Sequence, residues 1–220
     1  MQSDLLYHIA LTMVPNIGDV HARALLQHFG NAEKIFSARQ SSLDKFPGMG
    51  TVRSKSIKTF NAFHKAEQEL RFIEQYNISV LRQTDAGYPK RLLNCYDAPF
   101  LLYYKGNADL NHHKMIAIIG TRNHTDYGKE MTCSIIEHLA LTNVLIVSGL
   151  AYGIDALAHK AALKHKLYTI GVLAHGLDRI YPTPNKMLAK EMTTCGGLLT
   201  DFISGTKPDK QNFPKRNRIV

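Results

Sequence analysis

Beyond residue 75, short apolar segments of β-type residues alternate with helical patterns, and this alternation limits the possible folds more than any other feature. Strand–helix–strand alternation favours right-handed crossovers between parallel strands. Strands that are apolar almost throughout indicate a sheet covered on both faces. The sequence therefore predicts an α/β domain with a Rossmann-like parallel sheet, whose strands are ISVLRQ (78–83), FLLYYKG (100–106), MIAIIG (115–120), VLIVSG (144–149), YTIGVLA (168–174) and GGLLTDF (196–202).

Residues 1–75 instead carry apolar residues at three- and four-residue spacing, which is typical of helices. Two breaks, PNIGD (15–19) and FPGMG (46–50), resemble helix-hairpin-helix turns, in which glycine supplies a positive φ angle. A helix N-terminus beside such a turn can accept a phosphate, and Arg53, Lys55 and Lys58 follow the second turn. A plain helical bundle with glycine turns is the alternative. We expect a small all-helical domain at 1–75 and a Rossmann-like domain at 76–220.

The charge of the chain favours an anionic partner. The formal net charge is +9, and nucleic acid or an anionic membrane surface would complement it. Residues 206–220 hold five cations and one anion. A short basic segment of this kind is also compatible with an ordinary solvated surface. No amphipathic helix with a one-sided basic face accompanies the charge, so we do not expect a membrane partner.

The remaining composition predicts a cytoplasmic protein without metal or disulfides. The N-terminal segment lacks the basic start of a signal peptide, and no uncharged apolar run approaches the roughly 18 residues of a membrane span. Cys95, Cys133 and Cys195 are far apart and form no metal-binding spacing. His112 and His113 lie in the polar stretch NADLNHHK, which we interpret as a loop.

Ligands of open parallel sheets bind beyond the carboxyl ends of the strands. Three glycine-containing segments are candidates for such ends: Gly120-Thr121-Arg122, Ser148-Gly149 and Gly196-Gly197. Glycine lets backbone N–H groups face outward, and a following helix adds partial positive charge. Together they predict an anion-binding rim. A nicotinamide cofactor is not expected, because the first segment lacks the G-x-G-x-x-G spacing.

Asp155 and His159 lie four residues apart on one predicted helix face. They have the spacing of an acid–base pair. The interpretation that we favour is structural: Asp155 in the first turn, where the helix dipole stabilises an anion, with His159 packed below it. We therefore expect no catalytic residues from this helix.

Several long motifs, in order, resemble the DNA-processing protein A (DprA/Smf) family of bacterial natural-transformation proteins. They are GYPKRLLNCYDAPFLLYYKG, GTRNHTDYGKE, SGLAYGIDALAHKAAL, TIGVLAHGLDRIYPTPNKMLAKE and FPKRNRIV. The resemblance implies a binding protein without catalytic activity or cofactor. Such a protein protects single-stranded DNA, loads the RecA recombinase and forms a homodimer through its Rossmann-like domain. It also implies a helix-hairpin-helix or sterile-alpha-motif-like N-terminal domain.

The resemblance also implies which residues contact DNA. They would be Gly120, Arg122, Ser148, Gly149, Lys210, Phe213, Arg216, Asn217 and Arg218. Cations that follow a phosphate backbone and an aromatic ring that stacks on bases agree with this assignment. Because family members run on past the RNRI motif, we expect that the chain is truncated at Val220 and lacks the last helix of its Rossmann-like domain.

An enzyme that cleaves the N-glycosidic bond of nucleoside monophosphates is the alternative function. Proteins of that class share glycine-rich loops that resemble GGLLTDF, and here Gly196, Gly197, Thr200 and Asp201 would form the site. Asp201 would have to supply the catalytic carboxylate. The sequence shows no obvious second acid or arginine placed to assist Asp201, and a mononucleotide pocket has no use for the basic C-terminal segment.

Overall fold

A computed structural model describes the backbone of residues 2–220 and the side chains from residue 4 onward. It contains ten α-helices and six strands within those residues. The helices are α1 (Gln2–Thr12), α2 (Asp19–Phe29), α3 (Ala32–Ser37), α4 (Gln40–Asp44), α5 (Gly50–Lys58), α6 (Phe63–Gln75), α7 (Asp126–Leu139), α8 (Ile154–Lys164), α9 (Lys186–Met192) and α10 (Asn212–Asn217). The strands are β1 (Ser79–Arg82), β2 (Leu101–Gly106), β3 (Met115–Ala117), β4 (Leu145–Ser148), β5 (Thr169–Val172) and β6 (Gly196–Thr200), and 3₁₀ turns occupy Lys90–Asn94, Ala140–Thr142 and Thr183–Asn185.

The chain forms two compact units. The first runs to Asn77 and also includes Leu92–Leu101, and the second contains Ile78–Arg91 and Leu102–Val220. Helices α1 to α6 belong to the first unit, and all strands lie in the second apart from the first residue of β2.

In the helical unit, cations near the two predicted hairpin turns act as internal braces. In the first turn the residue with a left-handed backbone is Asn16 (φ 66°), and not Gly18 as expected. In the second turn it is Gly48 (φ 75°). The Arg53 guanidinium donates to the carbonyls of Asn16 (3.2 Å) and Gly48 (2.9 Å). Lys58 donates to two carbonyls near the end of α3. Two of the three cations that we considered for DNA contact therefore stabilise the unit itself.

The sheet confirms the predicted Rossmann-like arrangement for its second half. Strand order is β1-β2-β6-β5-β4-β3, and β3, β4, β5 and β6 pair in parallel. Strand β2 adds to β6 in the antiparallel direction, with Tyr104 opposite Leu199. The sheet is therefore mixed, not purely parallel. Strand β3 lies at the outer edge of the described sheet, so Arg122 follows an edge strand and not a central one.

Helices α7, α8 and α9 bury their apolar sides against the parallel strands. Ile136 of α7 and three alanines of α8 cluster with Ile146 of β4. Farther along the sheet, Leu188 and Met192 of α9 cluster with Leu198 of β6. Small alanines on α8 allow the helix to approach the strands closely, and its neighbours fill the space on either side. A loop follows the carboxyl end of β3 before α7 begins at Asp126, and a shorter loop follows β4 before α8 begins at Ile154.

Among residues 2–220, no helix combines the length and apolar character that a membrane crossing requires. The same residues contain no cluster of three or more His, Cys, Asp or Glu side chains with the geometry of a metal site.

Candidate functional site

The carboxyl edge of strands β3, β4 and β5 gathers most of the residues expected at the site, but not Gly196 and Gly197. Those two glycines open strand β6 and lie at its amino end. A Cβ atom on Gly197 would lie 2.4 Å from the Tyr104 ring, and one on Gly196 would lie 1.9 Å from the Thr169 carbonyl oxygen. The expectation that they form an anion-binding loop is therefore wrong, because they make room for core packing.

The loop after β3 is held by the start of α8. Gly153 has φ 78°, and a Cβ there would lie 2.1 Å from the Thr121 carbonyl oxygen. The Ile154 N–H donates to that same carbonyl at 3.1 Å. Gly120 is exposed, but a side chain on it would collide with Ile154, at 2.6 Å. The two loops interlock, and this fixes the backbone from which Arg122 projects.

The loop after β4 does not present free N–H groups to an incoming anion. The N–H groups of Gly149 and Ala151 donate to the Asp155 carboxylate at 3.1 and 3.4 Å. Ser148 is fully buried, and its hydroxyl has no hydrogen-bond partner in the structure. In this arrangement neither the Ser148 hydroxyl nor the Gly149 N–H is available to bind a ligand from solvent. The protein occupies this predicted anion site with its own carboxylate.

Arg216 is buried and braces the ends of two strands. Its Nη1 atom donates to the carbonyls of Gly149 (2.7 Å) and Val172 (2.5 Å), and the residue is 6 % exposed. Burial lowers the pKa of Arg216 from its ordinary value, and the neighbouring Asp155 opposes that shift. Gly149 is required here because a Cβ would lie 2.1 Å from Nη1. Arg216 therefore connects α10 to the sheet.

Phe213 lies in the first turn of α10, directly before Pro214. Proline is tolerated in a first helical turn because the N–H that it lacks would have no intrahelical partner. Phe213 is half-buried. The helix, not a proline-extended segment, therefore sets the direction of its ring.

An aromatic and cationic cluster forms at this edge around Phe213. The Arg122 guanidinium carbon lies 5.3 Å from the centre of the Phe213 ring, within the range of a cation–π contact. The Tyr181 ring lies 6.2 Å from Phe213 at an angle of 51°. Arg122 is exposed, and Tyr181 is 44 % exposed. Together with Tyr152 and His175 they line a small pocket, which is partly open to solvent.

His175 holds Tyr181 in place and is not a ligand-facing base. The Tyr181 N–H donates to Nε2 at 3.2 Å, so Nδ1 carries the proton and donates to the Gly176 carbonyl at 2.9 Å. Burial lowers the pKa of His175 from its ordinary value. Both ring nitrogens of this buried side chain are thus used in positioning the loop.

The other expected site residues of the C-terminal segment differ in what they contact: some are exposed to solvent, and others bind to the protein itself. Lys210 and Asn217 are exposed, although the Asn217 side-chain oxygen also accepts from Arg216 Nε at 3.1 Å. Arg218 pairs with Asp201 at 2.7 Å, and both side chains are mostly buried. The five terminal cations are therefore not all available to one ligand.

The residues of the alternative enzyme site are engaged in structural contacts. The Thr200 hydroxyl contacts the carbonyls of Leu173 (3.1 Å) and His175 (3.0 Å) and is buried. Asp201 is the partner of Arg218. A catalytic carboxylate would first have to leave that ion pair.

Asp155 and His159 occupy the structural roles that we favoured. Asp155 lies in the first turn of α8 and accepts the two loop N–H groups. His159 is fully buried, and its Nδ1 atom lies 2.6 Å from the Thr169 hydroxyl. Burial, with a smaller contribution from Arg216, lowers its pKa to about 3. A neutral, buried imidazole so far from solvent does not form an acid–base pair with Asp155.

Tyr152 and Tyr181 were missed by the sequence reasoning. Both are nearly half exposed and line the pocket beside Arg122. Tyr181 follows β5 in the stretch AHGLDRIYP. The rule that ligands bind beyond strand carboxyl ends, applied to β5 as well as to β3 and β4, would have pointed to this loop.

Known relatives match both the sequence and the fold. The chain is 35 % identical over 226 residues to the protein Smf of Synechocystis, covering 99 % of this chain and 56 % of that protein. The structure of DNA processing protein A from Streptococcus pneumoniae superposes with a TM-score of 0.79 and 29 % identity, covering 97 % of this chain and 73 % of that one. A second solved structure, of the Helicobacter pylori protein, has a TM-score of 0.58 and 34 % identity over 66 % of this chain and 65 % of that one. That study concerns a single-stranded DNA binding mode.

This chain thus spans little more than half the length of the Synechocystis protein that it matches. The sequence profile of one family, DNA recombination-mediator protein A, matches residues 79–220, which include the whole carboxyl edge described above. From these matches, the chain belongs to the DNA recombination-mediator protein A family.

Proposed function

We propose that this chain binds single-stranded DNA at the carboxyl edge of its sheet, where it protects incoming strands and helps to load the RecA recombinase during natural transformation. The cluster of Arg122, Phe213 and Tyr181 is the observation that carries the proposal. Membership of the family and the likeness to a relative studied for single-stranded DNA binding support it.

The chemistry of the cluster suits an unpaired strand. Base–aromatic stacking tolerates any sequence because every base has a π face, and a cationic groove follows the phosphates. Phe213 and Tyr181 offer neighbouring rings, and the exposed Arg122 offers a charge at the same edge. A duplex keeps its bases stacked inside, so these rings would have no base to receive. Preference for single strands follows.

We divide the expected DNA-binding residues into two groups. Arg122, Phe213, Lys210 and Asn217 would contact DNA, because their side chains are at least partly exposed at or near this edge. The others would act indirectly, by shaping the loops or holding α10: Gly120, Ser148, Gly149, Arg216 and Arg218.

A titration with fluorescent oligothymidine, followed by anisotropy, tests the site. Binding should weaken as salt rises, with a slope of about −0.7 per phosphate contact. Arg122→Ala should weaken binding and flatten that slope, whereas Lys164→Ala, an exposed cation at the C-terminal end of α8, should change neither. Equal affinity for duplex and single strand would contradict the proposal.

Phe213→Ala should cost about 1–3 kcal/mol of binding free energy for each base lost from the stack. Because Arg122 lies over that ring, Phe213→Ala also removes a support of the guanidinium. We therefore expect the Arg122→Ala and Phe213→Ala losses to sum to more than the loss in the double variant. Phe213→Leu serves as the folding control, since it keeps apolar volume without an aromatic face. Unchanged affinity in Phe213→Ala would remove Phe213 from the site.

We further propose that the chain has no catalytic turnover. The Asp201 carboxylate, which a nucleoside-monophosphate N-glycosidase would need, is paired with Arg218. Incubation of the purified chain with AMP or CMP should release no free base at any protein concentration. Release of base that is lost in Asp201→Asn would establish the alternative function instead.

The biological partners are part of the same proposal. Recombinase loading can be measured as RecA filament formation on single strands already coated by a single-strand-binding protein, with and without this chain. We expect faster filament formation with the chain and no acceleration with Arg122→Ala. The proposal also includes a cytoplasmic location and a homodimer.

A further inference from the structure

Helices α8 and α9 border an open groove on the surface of the α/β unit, away from the cluster around Phe213. This surface, here called the α8–α9 groove, is lined by Lys160, Met187, Leu188, Lys190, Glu191 and Thr194. All of these residues are exposed except Leu188, which belongs to the core cluster beneath. The groove therefore has an apolar floor that is continuous with the core, and its walls carry charged side chains.

The apolar part of the groove includes a large side chain with little protein around it. Met187 is 73 % exposed. It lies three and four residues before Lys190 and Glu191, so the three side chains share one side of α9. A methionine side chain is flexible and polarizable, and it adapts its shape to whatever packs on it. The methylene stems of Lys160 and Lys190 extend this apolar surface. The groove can thus accept an apolar side chain from a partner.

The two helices together present a positive charge. They expose four lysines and one glutamate, because Asp155, the remaining anion of α8, is buried. The four are Lys160, Lys164, Lys186 and Lys190. Within residues 4–220, none of these ammonium groups takes part in an ion pair. The charge complementary to this surface is therefore negative, and no carboxylate of the described chain supplies it.

We propose that the α8–α9 groove binds an acidic amphipathic helix of another protein. One apolar side chain of that helix would pack on Met187 and Leu188, and its flanking carboxylates would lie beside Lys160 and Lys190. An amphipathic helix recognises a groove in this way, with apolar anchors at helical spacing. Complementary charges at the rim speed the encounter and fix its direction.

The lining favours a peptide over a nucleic acid. A single strand of DNA gains much of its affinity by stacking its bases on aromatic rings, and none of the six lining residues is aromatic. Glu191 lies among the lysines and would repel a continuous phosphate backbone. A helix can place a neutral or basic residue opposite Glu191, since its side chains vary from one position to the next. An apolar anchor flanked by carboxylates therefore fits the groove best.

A synthetic peptide tests the proposal on the 220-residue protein. The probe is a fluorescein-labelled peptide of about 16 residues, or roughly four helical turns, with leucines along one face and glutamates beside them. The control peptide has the same composition in an order that scatters the leucines around the helix. By fluorescence anisotropy, we expect the amphipathic peptide to bind more tightly than the control and to weaken as salt rises. Equal binding of the two peptides, or no binding of either, would overturn the proposal.

Two variants with matched controls place the peptide in the groove. Lys190→Glu should raise its dissociation constant about fivefold or more, because the change replaces an attraction by a repulsion. Met187→Ser should weaken binding similarly by removing the apolar contact. Lys129→Glu and Met131→Ser change exposed residues of α7 and should leave the affinity unaltered. Circular dichroism checks that each variant is folded. If the α7 variants weaken binding as much as the groove variants, the assignment to the groove is wrong.

Oligothymidine binding, measured on the same proteins, separates this surface from the DNA site. It should persist in Lys190→Glu and Met187→Ser, and excess oligothymidine should leave the peptide bound. Failure of the DNA site would leave these peptide results unchanged, since no lining residue belongs to the cluster around Phe213. Displacement of the peptide by oligothymidine, together with lost oligothymidine binding in Lys190→Glu, would assign the groove to the path of the nucleic acid and overturn the proposal.

Discussion

The contact between Gly149 and Arg216 gives the sharpest test of how the C-terminal helix is attached to the sheet. Gly149→Ala would place a Cβ atom 2.1 Å from Nη1 and 2.5 Å from the guanidinium carbon. To reach an ordinary contact of 3.4 Å, the guanidinium would have to retreat by about 1.3 Å (3.4 − 2.1 Å). A movement of that size breaks the bonds to the carbonyls of Gly149 and Val172.

The expected loss in the free energy of unfolding follows from the hydrogen bonds of Arg216 that are broken. Hydrogen bonds that involve a charged group contribute about 1.5–3 kcal/mol each, and removal of one partner from a buried charged contact costs about 3–5 kcal/mol. Arg216→Ala should therefore lower the free energy of unfolding by about 3–5 kcal/mol, and Gly149→Ala by a similar amount. The double variant should lose little more than Arg216→Ala alone, because the clash disappears with the guanidinium.

Urea unfolding followed by circular dichroism measures all three variants. Gly128→Ala is the matched control, since its Cβ would approach nothing nearer than 3.4 Å and it lies within a helix. If the losses of Gly149→Ala and Arg216→Ala simply add, the two residues are not coupled and the proposed attachment of α10 is wrong.

Three further measurements probe other features. His159 has a folded pKa of about 3, below its unfolded value of about 6.5, so the unfolded state binds the extra proton first. The contribution of His159 to the free energy of unfolding should be fully present above about pH 6.5. It should fall by roughly 1.2 kcal/mol between pH 6 and pH 5. His159→Asn should flatten that part of the profile in urea titrations, although the lowered pKa of His175 leaves a remainder, and an unchanged profile would refute the assignment. Gly197→Ala should lower the melting temperature far more than Gly128→Ala, because its Cβ meets the Tyr104 ring at 2.4 Å; equal melting temperatures would show that Tyr104 can move aside. Arg53→Ala should destabilise the helical unit, since it removes bonds to the Asn16 and Gly48 carbonyls, and oligothymidine affinity that fell without any loss of stability would instead favour a direct DNA contact.

The fold was largely predictable from the sequence because its cues are local. The apolar segments became β1 to β6, and helix α7 begins at Asp126, where Thr125 accepts from the Gly128 N–H as an N-cap. The antiparallel attachment of β2 to β6 was not predicted, since pairing direction depends on contacts distant in sequence. The position of β3 at the edge is a property of strand order, which no single motif encodes.

The site was predicted less completely, because residue type does not reveal which partner a side chain finds. Arg122 and Arg216 look equivalent in the sequence, yet one is exposed and the other binds two backbone carbonyls. Gly196 and Gly197 look like a ligand-binding loop, but they sit at the amino end of β6. Phe213 and Arg122 are distant in the sequence, and only the position of α10 brings them together. In each of these cases the role of the residue depends on its burial and its contacts, which the sequence does not show.

The carboxylate of Asp155 has a consequence for the path of a ligand. It already accepts from the N–H groups that the loop after β4 would otherwise offer. The shape of this loop therefore does not depend on a bound anion. Asp155 also interacts with the buried Arg216, so its charge is balanced within the protein. Under the proposed function, phosphate contacts at this edge would have to come from other donors, such as the exposed Arg122.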